Sequence, residues 1–354
     1  MKQYISKFHY KRKYNIIEHI IKGMLYIPSC VYGLISKVRN LLYDYGILRS
    51  ERVNAKVISI GNLTTGGTGK TPITGMIADY LAQSGDNYKV GIISRGYGGK
   101  LPKDRVNLIS DGSQVYYGVK EAGDEPYLLT KMSKKAIVLT CANRVMATKE
   151  AINKYGCSII LLDDCFQHRK INRDIDIIVI DSEKKLGNGC LLPQGPLREE
   201  ECNIKRADKI IIVNKNNDIV DLIKYRNYIE EKYKKPTIVC NMDVDKIVSI
   251  DNKKELPSIA NNSDIYAFSA IGQPEQFYGY LEKRFKLIGK KSFEDHHLYS
   301  QKDIDDINNE AKKIKAKYLI TTEKDAVKLL KYKSDIEIFV LKLKPNLDIK
   351  KLLS

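Results

Sequence analysis

Apolar residues recur near the start of the chain at Ile17, Ile20, Ile21, Met24 and Leu25, then at Val31, Leu34, Ile35, Val38, Leu41, Leu42 and Tyr45. That spacing keeps them on one face of a helix, with an interruption expected near Pro28. Basic residues flank the stretch at Lys7, Lys11, Arg12, Lys13, Lys22, Lys37, Arg39 and Arg49. The uncharged run 23–36 is shorter than the roughly 18–20 apolar residues that cross a bilayer. Two readings follow. A basic amphipathic helix can lie in a membrane interface, held by apolar burial and by anionic lipid, or it can pack its apolar face on the body of the protein.

From residue 56 the period changes. Short runs rich in β-branched residues occur at 57–60, 90–93, 136–139, 159–162, 175–180 and 209–213 and alternate with helical stretches. This pattern predicts a mainly parallel sheet with helices on both faces. After the charge-rich segment 230–236 a second series begins, with strands at 237–239, 264–268, 286–290, 318–321 and 336–341 and helices at 275–283 and 302–317. The expected fold class is α/β: a P-loop NTPase-like, doubly wound, mainly parallel sheet over 51–234, a smaller α/β domain over 235–354, and an amphipathic segment over 1–50.

Composition sharpens this only a little. The 354 residues are 43% hydrophobic and 29% charged, the balance of a globular protein. The formal net charge of +17 points to an acidic partner such as anionic lipid, nucleic acid or a phosphorylated substrate, or to a lysine-rich surface alone. Seven cysteines, at 30, 141, 157, 165, 190, 202 and 240, form no CxxC pair and fit reduced cytoplasmic thiols. The N-terminus lacks the pattern of a cleavable signal peptide.

The chemistry is concentrated in the loops that follow the strands. Residues 61–72 read GNLTTGGTGKTP, a Gly-rich turn between a strand and a helix. Backbone N–H groups of Gly66, Gly67, Thr68 and Gly69 would cradle phosphate oxygens, Lys70 would reach the β- and γ-phosphates, and Thr71 would ligate magnesium. The strict motif wants glycine at 64, where this chain has Thr64. Asp163 and Asp164 end the apolar run 159–162, where a P-loop protein holds its metal. Asp124, in GDEP, reads either as a carboxylate facing the cleft or as a helix N-cap. His296 and His297 follow Asp295 in a polar loop, and His168 lies near the paired aspartates.

Taken together, GNLTTGGTGKTP, SRGYGG, GDEP, DDCFQHRKINRDIDIIVID, GNGCLLPQGPLRE, FEDHH and TTEKDAVKL resemble the tetraacyldisaccharide 4'-kinases from about residue 20 to about 330. The segment around residues 32–48 also resembles that family's membrane-associating helix. The resemblance implies two α/β/α domains joined by a hinge. It implies ATP and Mg2+ as cofactors and transfer of the γ-phosphoryl group to the 4'-hydroxyl of a tetraacylated glucosamine disaccharide 1-phosphate. The implied location is the cytoplasmic face of a bacterial inner membrane. It further implies that Lys70 and Thr71 serve the nucleotide and metal, and that Asp124 is the catalytic carboxylate assisted by His296, with His297 the second choice. Asp163, Asp164, Gln167 and Glu199 would organise magnesium and the reacting phosphate, and Arg144 and Arg198 would neutralise phosphate charge. Cys165 stands where the family usually has glycine, and Cys190 where a larger or basic residue is common.

Two fragments imitate guanine-specificity motifs. In the first, Asp218 lies one residue too far from Asn214 and Lys215; the second, 322–325, is expected to be a structural turn. The competing readings are a membrane-recruited ATPase switch, which leaves the GDEP loop without a purpose, and a kinase of a soluble metabolite, which leaves the N-terminus without one. RNA binding lacks an aromatic and basic recognition motif. No obligate protein partner is implied.

Overall fold

The protein is described by a computed structural model covering residues 8–11, 13–84, 88–215, 219–256 and 262–354; Lys7, Arg12 and Asp218 lie outside them. Helix α1 spans Ile16–Asp44. Asn15 and Glu18 form a reciprocal capping box at its start. The helix runs through Pro28 without a break. Pro28 lies on the exposed side, where the backbone carbonyl it cannot serve can be met by solvent.

The orientation of α1 is inverted relative to a helix packed by its apolar stripe. Its buried residues are Glu18, Ser29, Gly33 and Asn40. Ile16, Ile17, Ile20, Met24, Ile27, Val31, Leu34 and Ile35 are all more than half exposed. Small residues allow the close approach: a Cβ on Gly33 would sit 2.7 Å from Leu191 Cδ1. Ser29 Oγ donates to the Leu191 carbonyl at 2.9 Å and Tyr32 Oη to the Arg198 carbonyl at 2.8 Å. Among the described residues no helix is long and apolar enough to cross a membrane.

Among the described residues, twelve strands form one sheet. In chain order they are β1 (Lys56–Gly61), β2 (Val90–Ser94), β3 (Asn107–Ser110), β4 (Ile137–Thr140), β5 (Ile159–Asp163), β6 (Ile175–Asp181), β7 (Lys209–Asn214), β8 (Thr237–Ser249), β9 (Asp264–Ser269), β10 (Lys286–Ser292), β11 (Tyr318–Thr322) and β12 (Ile338–Asn346). Their order across the sheet is β10-β9-β11-β12-β8-β7-β6-β1-β5-β2-β4-β3. All pairings are parallel except β3 with β4 and β12 with β8. The expected strand at 237–239 is in fact 13 residues long. Its first part pairs with β7 and its second part with β12, so the sheet is continuous across residue 235.

Alternate residues of the central strands feed opposite cores, as in a sheet covered on both faces. Ile159 and Leu161 of β5 join Ile73 and Ile77 of α2 (Lys70–Gln83) and Leu129 of α4 (Asp124–Met132), which follows the short α3 (Val119–Ala122). Ile160 and Leu162 face Val145, Ala147 and Ala151 of α5 (Arg144–Asn153) on the other side. Helix α6 (Ile219–Tyr233) covers β6 and β7. In the second lobe, α7 (Pro274–Glu282) and α8 (Gln301–Lys313) lie in separate cores built on alternate residues of β9. Helices α9 (Glu323–Leu329) and α10 (Ile349–Leu353) complete the chain. Ligands in such sheets gather at the carboxyl ends of the parallel strands, and here both lobes present those ends to one cleft of about 790 Å³.

Candidate active site

The Gly-rich loop leaves β1 and enters α2. Gly66 and Gly69 have φ of +105° and +92°, a region open to glycine at little cost. Thr64 carries no such strain. It is buried and bridges antiparallel to Leu197, so the missing glycine is not needed there. Thr65 N donates to the Pro196 carbonyl at 2.8 Å and Tyr10 Oη to the Thr65 carbonyl at 2.6 Å, bracing the loop from two sides. Asn62 Nδ2 donates to the Thr64 carbonyl, and Gln167 Nε2 donates to the Asn62 carbonyl at 2.8 Å. Gln167 thus lines the cleft and also supports the loop's base.

Asp164, with φ of +50°, is where the cations meet. Arg198 Nη1 donates to both of its oxygens at 2.9 and 3.0 Å, and Lys70 Nζ lies 3.5 Å away. Burial pushes the Asp164 carboxyl up, but the Lys70 and Arg198 charges outweigh it and hold the group well below the usual carboxylate range. Asp163 is different. It is 1% exposed, and its Oδ1 accepts from Thr74 Oγ1 at 3.2 Å. Its Oδ2 is buried with no partner among the described residues. Burial, with Glu125 and Asp164 nearby, pushes its carboxyl up to about 7.

Asp124 opens α4 one residue after Gly123, so it is not the N-cap itself. It is 5% exposed, and both its oxygens face His296 Nδ1, at 3.0 and 2.8 Å. Burial raises its carboxyl, yet the His296 hydrogen bond and the Lys324, His296 and Lys328 charges carry it well below its ordinary value. His297 faces elsewhere: it stacks on Phe293 and reaches Asp303 at 3.3 Å. His168 lines the cleft, and burial among Arg144, Arg173 and Arg39 lowers it to about 4, which keeps it neutral. Burial pushes the Cys165 thiol up to about 11, inert beneath the loop.

The other expected residues divide. Thr71, Arg144 and Arg198 line the same cleft as Gly66, Gly67, Thr68, Gly69 and Lys70. Arg144 is held by the Cys141 and Ala142 carbonyls. Glu199 is fully buried, between Arg39 at 2.8 Å and Arg206 at 2.7 Å, and accepts from Asn40 Nδ2. Its carboxylate ties α1 to the core, and it could take a cation only by releasing an arginine. Replacing Glu199 with alanine leaves those arginines facing each other and is expected to cost about 3 kcal/mol, read as a lower urea midpoint. An unchanged midpoint would show that the pairs carry no net stability.

Three lysines escaped the sequence reading. Lys215 Nζ donates to the Gly67 carbonyl at 2.6 Å and lies 2.9 Å from Asp181 and 3.2 Å from Gln273 Oε1, linking the phosphate loop to the second lobe. Lys324 and Lys328 of α9 approach Asp124 at 3.6 and 3.5 Å. All three stood in segments already singled out, Lys215 in the first guanine-like fragment and Lys324 and Lys328 in TTEKDAVKL, but those segments read as a strand end and a structural turn.

The arrangement therefore has a cradle for phosphate, cations to neutralise it, and a carboxylate–imidazole pair facing the same cleft from another direction. Comparison with known proteins gives this chemistry a family. A family model described as tetraacyldisaccharide-1-P 4'-kinase matches residues 21–354. The tetraacyldisaccharide 4'-kinase of Desulfotalea psychrophila is 36% identical over 322 residues, covering 88% of this chain and 89% of that protein. That of Halothermothrix orenii is 34% identical over 342 residues, covering 92% and 87%. The crystal structure of LpxK from Aquifex aeolicus in complex with ATP superposes with a TM-score of 0.73 at 30% identity, covering 94% of this chain and 97% of that one. With the mostly parallel α/β sheet shared as well, the chain is a kinase and belongs to the tetraacyldisaccharide-1-P 4'-kinase family.

Proposed function

We propose that this kinase uses ATP and magnesium to phosphorylate the 4'-hydroxyl of tetraacyldisaccharide 1-phosphate, a lipid A precursor, at the cytoplasmic face of the inner membrane. The observation that carries the reading is a single cleft bounded by the phosphate loop, by His296 with the buried Asp124 behind it and, at Tyr32 and Arg39, by the helix whose apolar face is exposed. A glycolipid held at that face would bring its sugar to the cleft while its acyl chains stay on α1.

Phosphoryl transfer needs alignment, charge neutralisation and a destination for the hydroxyl proton. The N–H groups of 66–69 at the start of α2 would hold the phosphates, with Lys70 on the transferred group. Arg144 and Arg198 would neutralise further charge. With Nδ1–H of His296 donated to Asp124, the pair accepts the sugar's proton and keeps the nucleophile oriented. Magnesium fits the oxygen set nearby: the partnerless Asp163 Oδ2 lies beside the helix that Lys70 and Thr71 open. Thr71, Asp163 and Asp164 would hold the ion, which when bound would neutralise the β- and γ-phosphates.

The test is transfer of labelled phosphate from ATP to purified tetraacyldisaccharide 1-phosphate in detergent micelles. Labelled lipid is expected. Folded, ATP-binding protein that hydrolyses ATP without labelling the lipid would overturn the substrate and favour an ATPase switch.

The membrane part of the reading has its own test. Leu34 and Ile35 are 64% and 65% exposed, so replacing both with glutamate leaves folding unchanged. The double variant is expected to sediment with anionic vesicles roughly 100-fold more weakly, from two lost apolar anchors and added repulsion. Wild-type binding by that variant would remove α1 as the contact.

A further inference from the structure

Helix α9 belongs to the second lobe, yet one of its lysines is buried against a residue of the first. Lys328 Nζ lies 3.3 Å from Asp325 Oδ1 and 3.5 Å from Asp124 Oδ2, with its side chain 2% exposed. A buried ammonium so placed needs carboxylates around it and would not persist unpaired. Asp325 is itself fixed. It is fully buried, and its Oδ2 accepts from Ala270 N at 2.9 Å and from Thr322 Oγ1 at 2.7 Å. Lys328 is therefore held in place from its own lobe, and Asp124 is the group it is presented to.

We propose that Lys328 is a positioning residue for phosphoryl transfer: from the second lobe it fixes the Asp124 carboxylate as an anion aligned on His296. The proposal rests on the reading of Asp124 and His296 as the proton-accepting pair. The charged groups facing Asp124 are few. His296 and Asp295 come from the loop after β10, Lys324, Lys328 and Asp325 from α9, and Glu125 from its own helix. Of the two lysines, Lys324 lines the cleft and touches Asp295 at 3.1 Å and His296 Nε2 at 3.4 Å. Lys328 is not a cleft residue. Its effect reaches the reaction through Asp124, with no contact to nucleotide or lipid required.

This distinguishes it from a packing residue. Removing a cation 3.5 Å from the carboxylate makes the His296–Asp124 pair as a unit easier to protonate, so activity fails at a higher pH on the acid side. Lys328→Met is expected to lower kcat roughly 10- to 100-fold, a fraction of what a whole acid–base group supplies. The KM for ATP stays within about twofold, since the phosphate loop is untouched, and the acid limb of the kcat/KM profile moves up by about one pH unit. Lys328→Arg, which keeps the charge, restores most of the limb's position.

Lys328→Met alone strands the buried Asp325, which destabilises the second lobe. The double variant Lys328→Met with Asp325→Asn removes both charges of that pair and keeps the hydrogen bonds that Oδ2 of residue 325 accepts, so it stays folded; because the lysine makes the direct contact with Asp124, the limb is still displaced, by less than in the single variant. The measurement is steady-state lipid phosphorylation across pH 5–9 with thermal unfolding of each variant, run beside Asp124→Asn. A folded double variant whose acid limb coincides with wild type overturns the positioning role, whatever its kcat. Full activity in Asp124→Asn would instead overturn the reading of the pair on which the proposal rests.

Discussion

Asp124→Asn is expected to slow lipid phosphorylation by roughly 10²- to 10⁴-fold, with nucleotide affinity held within about a factor of two. The asparagine keeps the size of the side chain and one oxygen to accept from His296 Nδ1, so the geometry at 2.8–3.0 Å is largely preserved. What is lost, on the proposed mechanism, is the negative charge that would stabilise the imidazolium once the sugar's proton has been taken. Nucleotide binding should be spared because the proposed phosphate contacts, Lys70 and the loop 66–69, lie at Asp164 and not at Asp124. The substitution also leaves Lys324 and Lys328 with fewer carboxylates, although Asp295 and Asp325 remain, at 3.1 and 3.3 Å. A modest loss of stability is thus expected with the large loss of rate. The measurement is single-turnover phosphorylation with nucleotide titration calorimetry on the same preparation. A rate within threefold of wild type would remove Asp124 from the chemistry.

Much of this site was legible in the sequence, for a physical reason. A phosphate loop is a local object, since strand, turn and helix are contiguous and Lys70 and Thr71 sit at the only place a helix start can use them. The Asp124–His296 contact is not local. Its members are 172 residues apart, and it became visible only because each lies in a motif that the family resemblance paired. Lys324 and Lys328 stood in TTEKDAVKL and Lys215 in a guanine-like fragment, but these read as a turn and a strand end, and in a lysine-rich chain their burial is known only from the fold. Glu199 stood in a motif, but its partners Arg39 and Asn40 come from α1, whose docking the pattern did not fix.

Helix α1 shows the limit of periodicity most directly. The spacing of Ile17, Ile20, Met24 and Leu34 defines an apolar face but cannot say which way that face points. The direction is decided by the opposite face, where Ser29 and Gly33 are small enough to meet the Leu191 region and Asn40 reaches Glu199. Strand β8 makes the related point for the sheet. Its exposed Asn241 and Asp243 and half-buried Val244 look like the end of a strand, while the backbone carries pairing on to Ser249 through β12. Charge at alternate positions marks an exposed face as readily as a loop.

Lys70→Ala is the second large effect expected, with kcat/KM for ATP reduced by about 10²- to 10³-fold, the scale of losing one preorganised donor to a reacting group. Its Nζ lies 3.5 Å from Asp164 Oδ1, longer than either Arg198 contact, so this ammonium is the more easily redirected of the two cations. Folding should be unaffected, because Asp164 keeps Arg198 on both oxygens and Lys70 makes no other ion pair among the described residues. Both kcat and nucleotide affinity should fall, unlike the outcome at Asp124, since in the proposed role the ammonium would serve the bound phosphates and the transferred group alike. Arg198→Ala alone is expected to let Asp164 draw Lys70 toward itself. The two substitutions should therefore combine to less than the product of their separate effects, as residues sharing one partner do. A strictly multiplicative double variant would mean that Asp164 does not couple them, and near-normal turnover in Lys70→Ala would place the phosphate donor elsewhere in the cleft.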